Sequence, residues 1–280
     1  MSKPIVVGVN GQPNSDIALE WAIAEAAHRA VPLLILHAGE VAPMRAVGRG
    51  PLLQTTRTSG KALVDKAIAV VQAMNKDIFV SSVIAPGAPA DVLIRWSAEA
   101  LMLVVGNRGR SPLRSSVGAK VAARARCPVI IARAVPSKHT PVVLGVDGSL
   151  VSKAAAAFAF DYAAKHTAGV RAIHTWRRSS LPGSGALPAQ RRAHLYVAAE
   201  ALADAHDRHP TVLAWVVCTI GNARDVLRDE STQAQLLVVG THGRGAKSGL
   251  LLGSVSRALI RTASCPVAVI PTKCPYATGL

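Results

Sequence analysis

The chain is poor in cysteine, in aromatic residues and in acidic side chains, and it has no long hydrophobic run. Four cysteines occur in 280 residues: Cys127, Cys218, Cys265 and Cys274. None belongs to a CxxC pair or has zinc-ligand spacing with histidine, which excludes a zinc finger or a dithiol redox centre. Cys127 and Cys265 each precede a proline at the head of an apolar run and read as buried structural thiols. Sparse, unpaired cysteine suits a reducing compartment. Aromatic residues make up 4% of the chain, and Trp21, Trp96, Trp176 and Trp215 recur too irregularly to form a stacking platform for single strands. Apolar runs such as Leu101–Val105 and Leu236–Val239 are strand-sized, far below the roughly 20 residues that a spanning helix needs. The opening MSKPIVVGVNG carries no signal-peptide pattern, so a soluble, cytoplasmic protein is expected.

Acidic residues are outnumbered two to one, with 16 Asp and Glu against 32 Lys and Arg and a net charge of +16. The excess is +9 in residues 1–140 and +7 in residues 141–280, so it is spread along the chain rather than held in a tail. Such a surface attracts polyanions: nucleotide phosphates, nucleic acid or acidic lipid headgroups. Apolar material is plentiful, at half of all residues, which excludes a disordered or fibrous chain. The length suffices for two domains of about 100–150 residues each.

Self-similarity sets the domain count. Ile5–Gly11 (IVVGVNG) returns as Val142–Gly148 (VVLGVDG), with Gly8 and Gly145 separated by 137 residues. Leu34–Ala38 returns as Arg171–Thr175, with His37 and His174 at the same offset. Leu101–Arg110 returns as Leu236–Arg244, and Cys127–Ala132 as Cys265–Ile270. Four segments in one order at a nearly constant offset indicate a duplication, with domains over 1–135 and 140–275 joined by the Pro-containing stretch Arg133–Thr140.

Each half alternates strand and helix. In the second, the pattern predicts strands at Val142–Val146, Val170–Thr175, Val212–Cys218, Leu236–Val239 and Pro266–Ile270. Helices are predicted at Lys153–His166, Gln190–His209, Ala223–Glu230 and Ser254–Thr262. Strands this uniformly apolar are covered on both faces, which implies a parallel sheet. The expected fold is α/β: two tandem doubly wound, Rossmann-like domains, each a five-stranded parallel sheet flanked by helices. Ligands of such sheets bind outside the carboxyl ends of the strands, at the switch point. Asp147-Gly148-Ser149 and Gly240-Thr241-His242-Gly243 fall on that edge, and Trp176–Pro188 is a candidate cover for the pocket.

The segment from Gly240 to Ser256 is built to hold an anion. Glycines let N–H groups converge, a helix N-terminus adds partial positive charge, Ser254 and Ser256 carry hydroxyls, and His242, Arg244 and Lys247 add charge-assisted bonds. It is neither a Walker A loop nor a GxGxxG fingerprint. The spacing G-x2-G-x9-G-[ST] at Gly240, Gly243, Gly253 and Ser254, with Asp147 directly after the first strand, resembles the ATP-binding signature of the universal stress protein family. The HA and HT ends of the second strands, the CPV opening of each last strand and the duplication agree with that resemblance, which covers nearly the whole chain.

The resemblance implies ATP as ligand, with Mg2+ as a companion of its phosphates. By position, Asp147 takes the adenosine contact and Thr175 the backbone contact to adenine. Gly240, Gly243, Gly253, Ser254, Val255 and Ser256 take the phosphates. The first half keeps Asn10, Ala38, Gly106, Gly109 and Gly118 as weaker counterparts. There Asn10 replaces the Asp, Gly118 follows Gly109 after eight residues rather than nine, and Ala119 stands where a hydroxyl is expected, although Arg108, Arg110 and Arg114 supply local charge. Losing one good hydrogen bond to a charged group costs about 1.5–3 kcal/mol, or about tenfold to a hundredfold in affinity. Strong nucleotide binding is therefore expected of the second domain and weak binding of the first.

Plainer roles exist for the same residues. Asp147 can cap its helix, and the glycines can serve tight turns. His37 and His174, inside apolar strands without a nucleophile motif, read as core histidines. Arg177, Arg178, Arg191 and Arg192 read as solvated charges. The apolar last strands PVIIA and PVAVI need edge protection, so pairing of the two halves into an intramolecular pseudo-dimer is expected, with a homodimer open. Two functions compete. One is a nucleotide-sensing stress-response regulator with at most slow ATP hydrolysis, since nothing resembles a Walker B acid. The other is a nucleotide-independent basic module for an acidic protein or nucleic acid. No catalytic constellation supports an adenylyl-transferring enzyme.

Overall fold

The computed structural model describes residues 2–39, 50–107, 117–134, 140–178, 187–243, 252–274 and 276, with residues 50–59 described by their backbone alone. The chain divides into two compact units, Met1–Arg133 and Ala134–Leu280. The first runs β1 (Ile5–Gly8), α1 (Pro13–Arg29), β2 (Leu33–Gly39), α2 (Gly50–Met74), β3 (Val80–Pro86), α3 (Pro89–Trp96), β4 (Met102–Gly106), α4 (Val117–Arg124) and β5 (Val129–Ala132). The second repeats the order with β6 (Val142–Gly145), α5 (Leu150–Lys165), β7 (Val170–Trp176), α6 (Leu187–Arg208) and β8 (Ala214–Ile220). It continues with α7 (Ala223–Glu230), β9 (Leu236–Gly240), α8 (Ser254–Thr262) and β10 (Val267–Ile270).

Within the first unit the strand order is β3-β2-β1-β4-β5, and every pairing is parallel. The second unit has the order β8-β7-β6-β9-β10, again all parallel. The order reverses beside the first strand of each unit, so right-handed crossovers place two helices on each face of its sheet. In keeping with this, α1 packs on α2 and α3 on α4, while α5 packs on α6 and α7 on α8. The central strands are apolar because both faces are covered: Ile5, Val6, Val7, Met102, Leu103 and Val104 have no exposed surface.

The first βα turn is shaped alike in the two units. Gly11 (φ +73°) and Gly148 (φ +77°) both take the left-handed conformation, which a side chain at either position would strain. Helix α5 differs from an amphipathic surface helix. Ala154 through Phe160, then Tyr162 and Ala163, are all buried, and Tyr276 closes over it with its ring edge-on to Phe158 at 5.3 Å and its hydroxyl donating to Asp161. Cys127, Cys265 and Cys274 are buried and Cys218 is half-buried, all four as free thiols. No helix among the described residues is long and apolar enough to cross a membrane.

Candidate functional site

At the carboxyl edge of the second sheet, β6 ends at Gly145 and the chain turns through Asp147 and Gly148 into α5. Ser149 is the N-cap: its Oγ accepts from the N–H of Ser152 at 3.2 Å. It also donates to Asp147 Oδ1 at 2.6 Å, and its N–H meets the same oxygen at 3.0 Å. Asp147 therefore steadies the cap instead of being it. The other carboxylate oxygen is turned toward the exit of β9, where a β-carbon on Gly243 would lie 2.3 Å from Oδ2. The first-strand aspartate and the second loop glycine, 96 positions apart in sequence, thus lie against each other.

The ends of the glycine loop are stitched together by backbone. Thr241 donates to Ile270 O at 2.9 Å, and its own carbonyl accepts from the N–H of Gly253 at 2.7 Å and from Ser256 Oγ at 3.0 Å. Gly240 is glycine because the first turn of α5 presses on β9, so that a β-carbon there would stand 2.6 Å from Val151 Cγ1; at Gly253 it would stand 3.0 Å from Thr241 O. Gly253 caps α8 without a side chain, and helix geometry leaves the N–H groups of Ser254, Val255 and Ser256 without intrahelical acceptors. The buried Ser256 hydroxyl is committed to the carbonyls of Thr241 and Gly253, so what Ser256 can offer a ligand is its N–H. Ser254 is exposed. Arg244 and Lys247 lie outside the described residues.

Thr175 sits near the end of β7, two residues past Ile173, the register partner of Gly145, and so on the same sheet edge as Asp147. Its neighbours point the other way into a cluster that the sequence did not reveal. His174, 5% exposed, is bonded through Nδ1 to Val146 O at 2.8 Å and through Nε2 to His194 Nδ1 at 3.0 Å. A carbonyl only accepts, so Nδ1 of His174 is the donor to Val146 O, and in the tautomer protonated there alone Nε2 accepts from His194. The His194 ring stacks on Trp176 at 4.7 Å. Trp176, read from sequence as the start of a loop, is the last residue of β7 and is buried. Of the presumed cover beyond it, residues 179–186 lie outside the described residues.

The first unit carries a cavity of about 220 Å³ at the equivalent edge, where β1, β2 and β4 end and helices α1, α3 and α4 begin. Asn10, Ala38, Gly106 and Gly118 all line it, while Gly109 lies outside the described residues, as do Arg108, Arg110 and Arg114. Asn10 repeats the turn of Asp147, its Oδ1 accepting from the N–H of Gln12 at 3.1 Å. His37 repeats His174, bonded through Nδ1 to Val9 O at 2.9 Å. In place of a histidine partner, α2 brings Gly60 so close that a β-carbon would stand 3.0 Å from the His37 ring. Among the described residues no group of three or more His, Cys, Asp or Glu side chains could hold a metal ion.

Two tandem doubly wound α/β domains, the first with a cavity at its strand switch point, define the class. The sequence profile of the universal stress protein family matches residues 1–133 and again 139–271, and the chain belongs to that family as a tandem two-domain member. It is similar to universal stress protein Rv2005c of Mycobacterium tuberculosis, 35% identical over 96% of this chain and 99% of that protein. Universal stress protein Rv2623 of the same organism is also 35% identical, over 95% of each chain. The crystal structure of a universal stress protein from Archaeoglobus fulgidus shares the fold with a TM-score of 0.75 at 18% identity, covering 96% of both chains.

Proposed function

We propose that the second domain binds an adenine nucleotide, and that the protein acts as a nucleotide-sensing stress-response regulator. The observation that carries this reading is the approach of the Asp147 carboxylate to Gly243 beside the start of α8, whose cap residue Gly253 has no side chain. A carboxylate accepts from ribose hydroxyls or an exocyclic amine, whereas converging backbone N–H groups at a helix start hold phosphate. One ligand with a hydroxyl-rich middle and an anionic end satisfies both. In this reading Asp147 takes the adenosine portion, Thr175 offers backbone to the base, and Gly240, Gly243, Gly253, Ser254, Val255 and Ser256 surround the phosphates. Among the described residues no carboxylate cluster stands beside the loop, so Mg2+ would be held by phosphate oxygens and water, as is usual for that ion.

Regulation follows from linkage. A nucleotide that binds only the ordered loop stabilises that state by about 2.7 kcal/mol at a hundredfold excess over Kd, and a partner that recognises the ordered loop is thereby recruited. Calorimetry with ATP on the wild type, Gly243→Asp and Asp147→Ala tests the assignment. Each variant is expected to lose at least about tenfold in affinity, and unchanged binding in both removes it. If binding to anions instead falls steeply with salt and ignores ATP, the net charge of +16 favours the basic interaction module.

A further inference from the structure

His194 holds the end of β7 on both sides of Thr175. Its Nδ1 meets His174 Nε2 at 3.0 Å, and its ring stacks on Trp176 at 4.7 Å. The buried Trp176 indole N–H finds no hydrogen-bond partner among the described residues, so packing, this stack included, is what fixes that ring. We infer that His194 is a positioning residue for Thr175, and that charging both imidazoles of the His174–His194 pair releases β7, making ligand binding in the second domain sensitive to acid. The inference rests on the nucleotide reading above, in which Thr175 offers its backbone to the base. Among the described residues the first unit has no such clasp. His37 makes the same bond to Val9 O, but α2 brings Gly60 to its ring, and Gly39 stands in the place of Trp176.

The release follows from counting protons. A hydrogen bond between two ring nitrogens needs one of them bare. The neutral pair meets that condition, and so does the pair with one added proton, whose remaining bare nitrogen can face the other ring. With both rings charged, N–H faces N–H and two cations share one contact. His174 is 5% exposed, so water screens that repulsion poorly. The charged groups around the pair are few or already committed. Arg191, one turn earlier on α6, adds positive charge. Lys153 of α5 is ion-paired with Glu200 of α6 at 3.4 Å, and Asp147, beyond Val146, is bonded to Ser149. On β7 itself Arg171 is bonded to Glu230 at 3.0 Å. On β8 the register partner of His174 is Cys218, whose thiol burial pushes up against a smaller opposing effect of Arg191.

Calorimetry with ATP on the full chain at about pH 7.5 and about pH 5.5 tests this, with wild type, His194→Asn and His194→Gln compared. Either amide can donate to a neutral His174 and, turned over, accept from a charged one. Wild-type affinity is expected to fall in acid at least about tenfold more than that of a folded amide variant. Titration of the nucleotide's own phosphates is common to all three proteins and cancels. A ligand-free arm keeps the two readings apart: urea unfolding, followed by tryptophan emission, at the same two pH values. The unfolded chain charges its histidines independently and so binds more protons than the folded pair, and stability is lost as pH falls through the imidazole range. The wild-type urea midpoint is therefore expected to drop further in acid than that of a folded amide variant. Equal acid dependence of wild type and variant in either measurement overturns the inference. Should ATP fail to bind the wild type at both pH values, the nucleotide reading fails, while the urea midpoints still decide whether acid opens the pair.

Discussion

A β-carbon at Gly243 would lie 2.3 Å from Oδ2 of Asp147, and Oδ1 of the same carboxylate is fixed by two bonds from Ser149. Rotation away from an added methyl group therefore breaks the cap network of α5. Gly243→Ala is expected to cost about 1–2 kcal/mol of stability, in the range of overpacking, and at least about tenfold in ATP affinity. Urea unfolding and calorimetry on one preparation check both. A variant that binds ATP normally would mean that this contact plays no part in the site.

In the first unit a still tighter contact stands at Gly106, the counterpart of Gly240, and is made chiefly with backbone. A methyl group at Gly106 would meet the Asn14 carbonyl at 2.1 Å, whereas at Gly39 it would meet nothing within 4 Å. Gly106→Ala is expected to destabilise the first unit by about 1–3 kcal/mol or more, because neither main chain can swing aside as a side chain can. Gly39→Ala, at the end of β2, should be neutral or stabilising by up to about 1 kcal/mol through the unfolded state. Chemical denaturation of both variants decides it, and equal stabilities would contradict the packing described.

Much of this was legible beforehand. Repeated segments at constant offset gave the duplication, apolar runs bounded by glycine and proline gave the strands, and the Gly240–Ser254 spacing gave the family. Strand and helix limits shifted by a few residues where propensity yields to packing: α5 begins at Leu150 instead of Lys153 because Ser149, not a later residue, takes the cap. The sequence could not reveal the pairing of His174 with His194. One residue lies in an apolar strand and the other on a polar helix face 20 positions away, and only the crossover brings them to 3.0 Å. Ser256 shows the same limit, since a serine in a phosphate-loop pattern does not announce that its hydroxyl is spent on Thr241.

His194 therefore has a measurable structural role. Replacing it with alanine leaves the Nε2 of His174, 5% exposed, without its partner and uncovers the Trp176 ring. The expected cost is about 1–3 kcal/mol for the unsatisfied buried acceptor, together with a change in tryptophan emission. His194→Asn keeps a donor and should recover part of the stability but not the stacking. Denaturation followed by fluorescence separates the two contributions, and an alanine variant as stable as the wild type would show that the imidazole pair contributes nothing.

Ser149 joins the cap to the candidate site. Ser149→Ala removes the bond from Ser152 N and the hydroxyl donor to Asp147. Loss of an N-cap costs about 0.5–2 kcal/mol, and Asp147, deprived of the Ser149 hydroxyl, is less well aimed. ATP affinity should fall severalfold while Ser149→Thr stays near wild type. Equal affinities in alanine and wild type would detach the cap from ligand binding.

Cys218 offers a test that involves no ligand. On β8 it is half-buried while the other three thiols are buried, so a small alkylating reagent acting on the native protein should label it first. Burial pushes its thiol pKa up, and the positive charge of Arg191 offsets part of that rise. Only the thiolate reacts, so the pH midpoint of labelling should lie above that of a free cysteine, and Arg191→Gln should raise it further. The sign for stability follows from linkage: above the ordinary thiol pKa the unfolded chain releases this proton while the folded chain still holds it. Stability is then lost as pH rises through that range, and Cys218→Ser should flatten the loss. A labelling midpoint at or below that of free cysteine, or one that Arg191→Gln leaves in place, would mean that Arg191 and the thiol do not sense each other across α6 and β8.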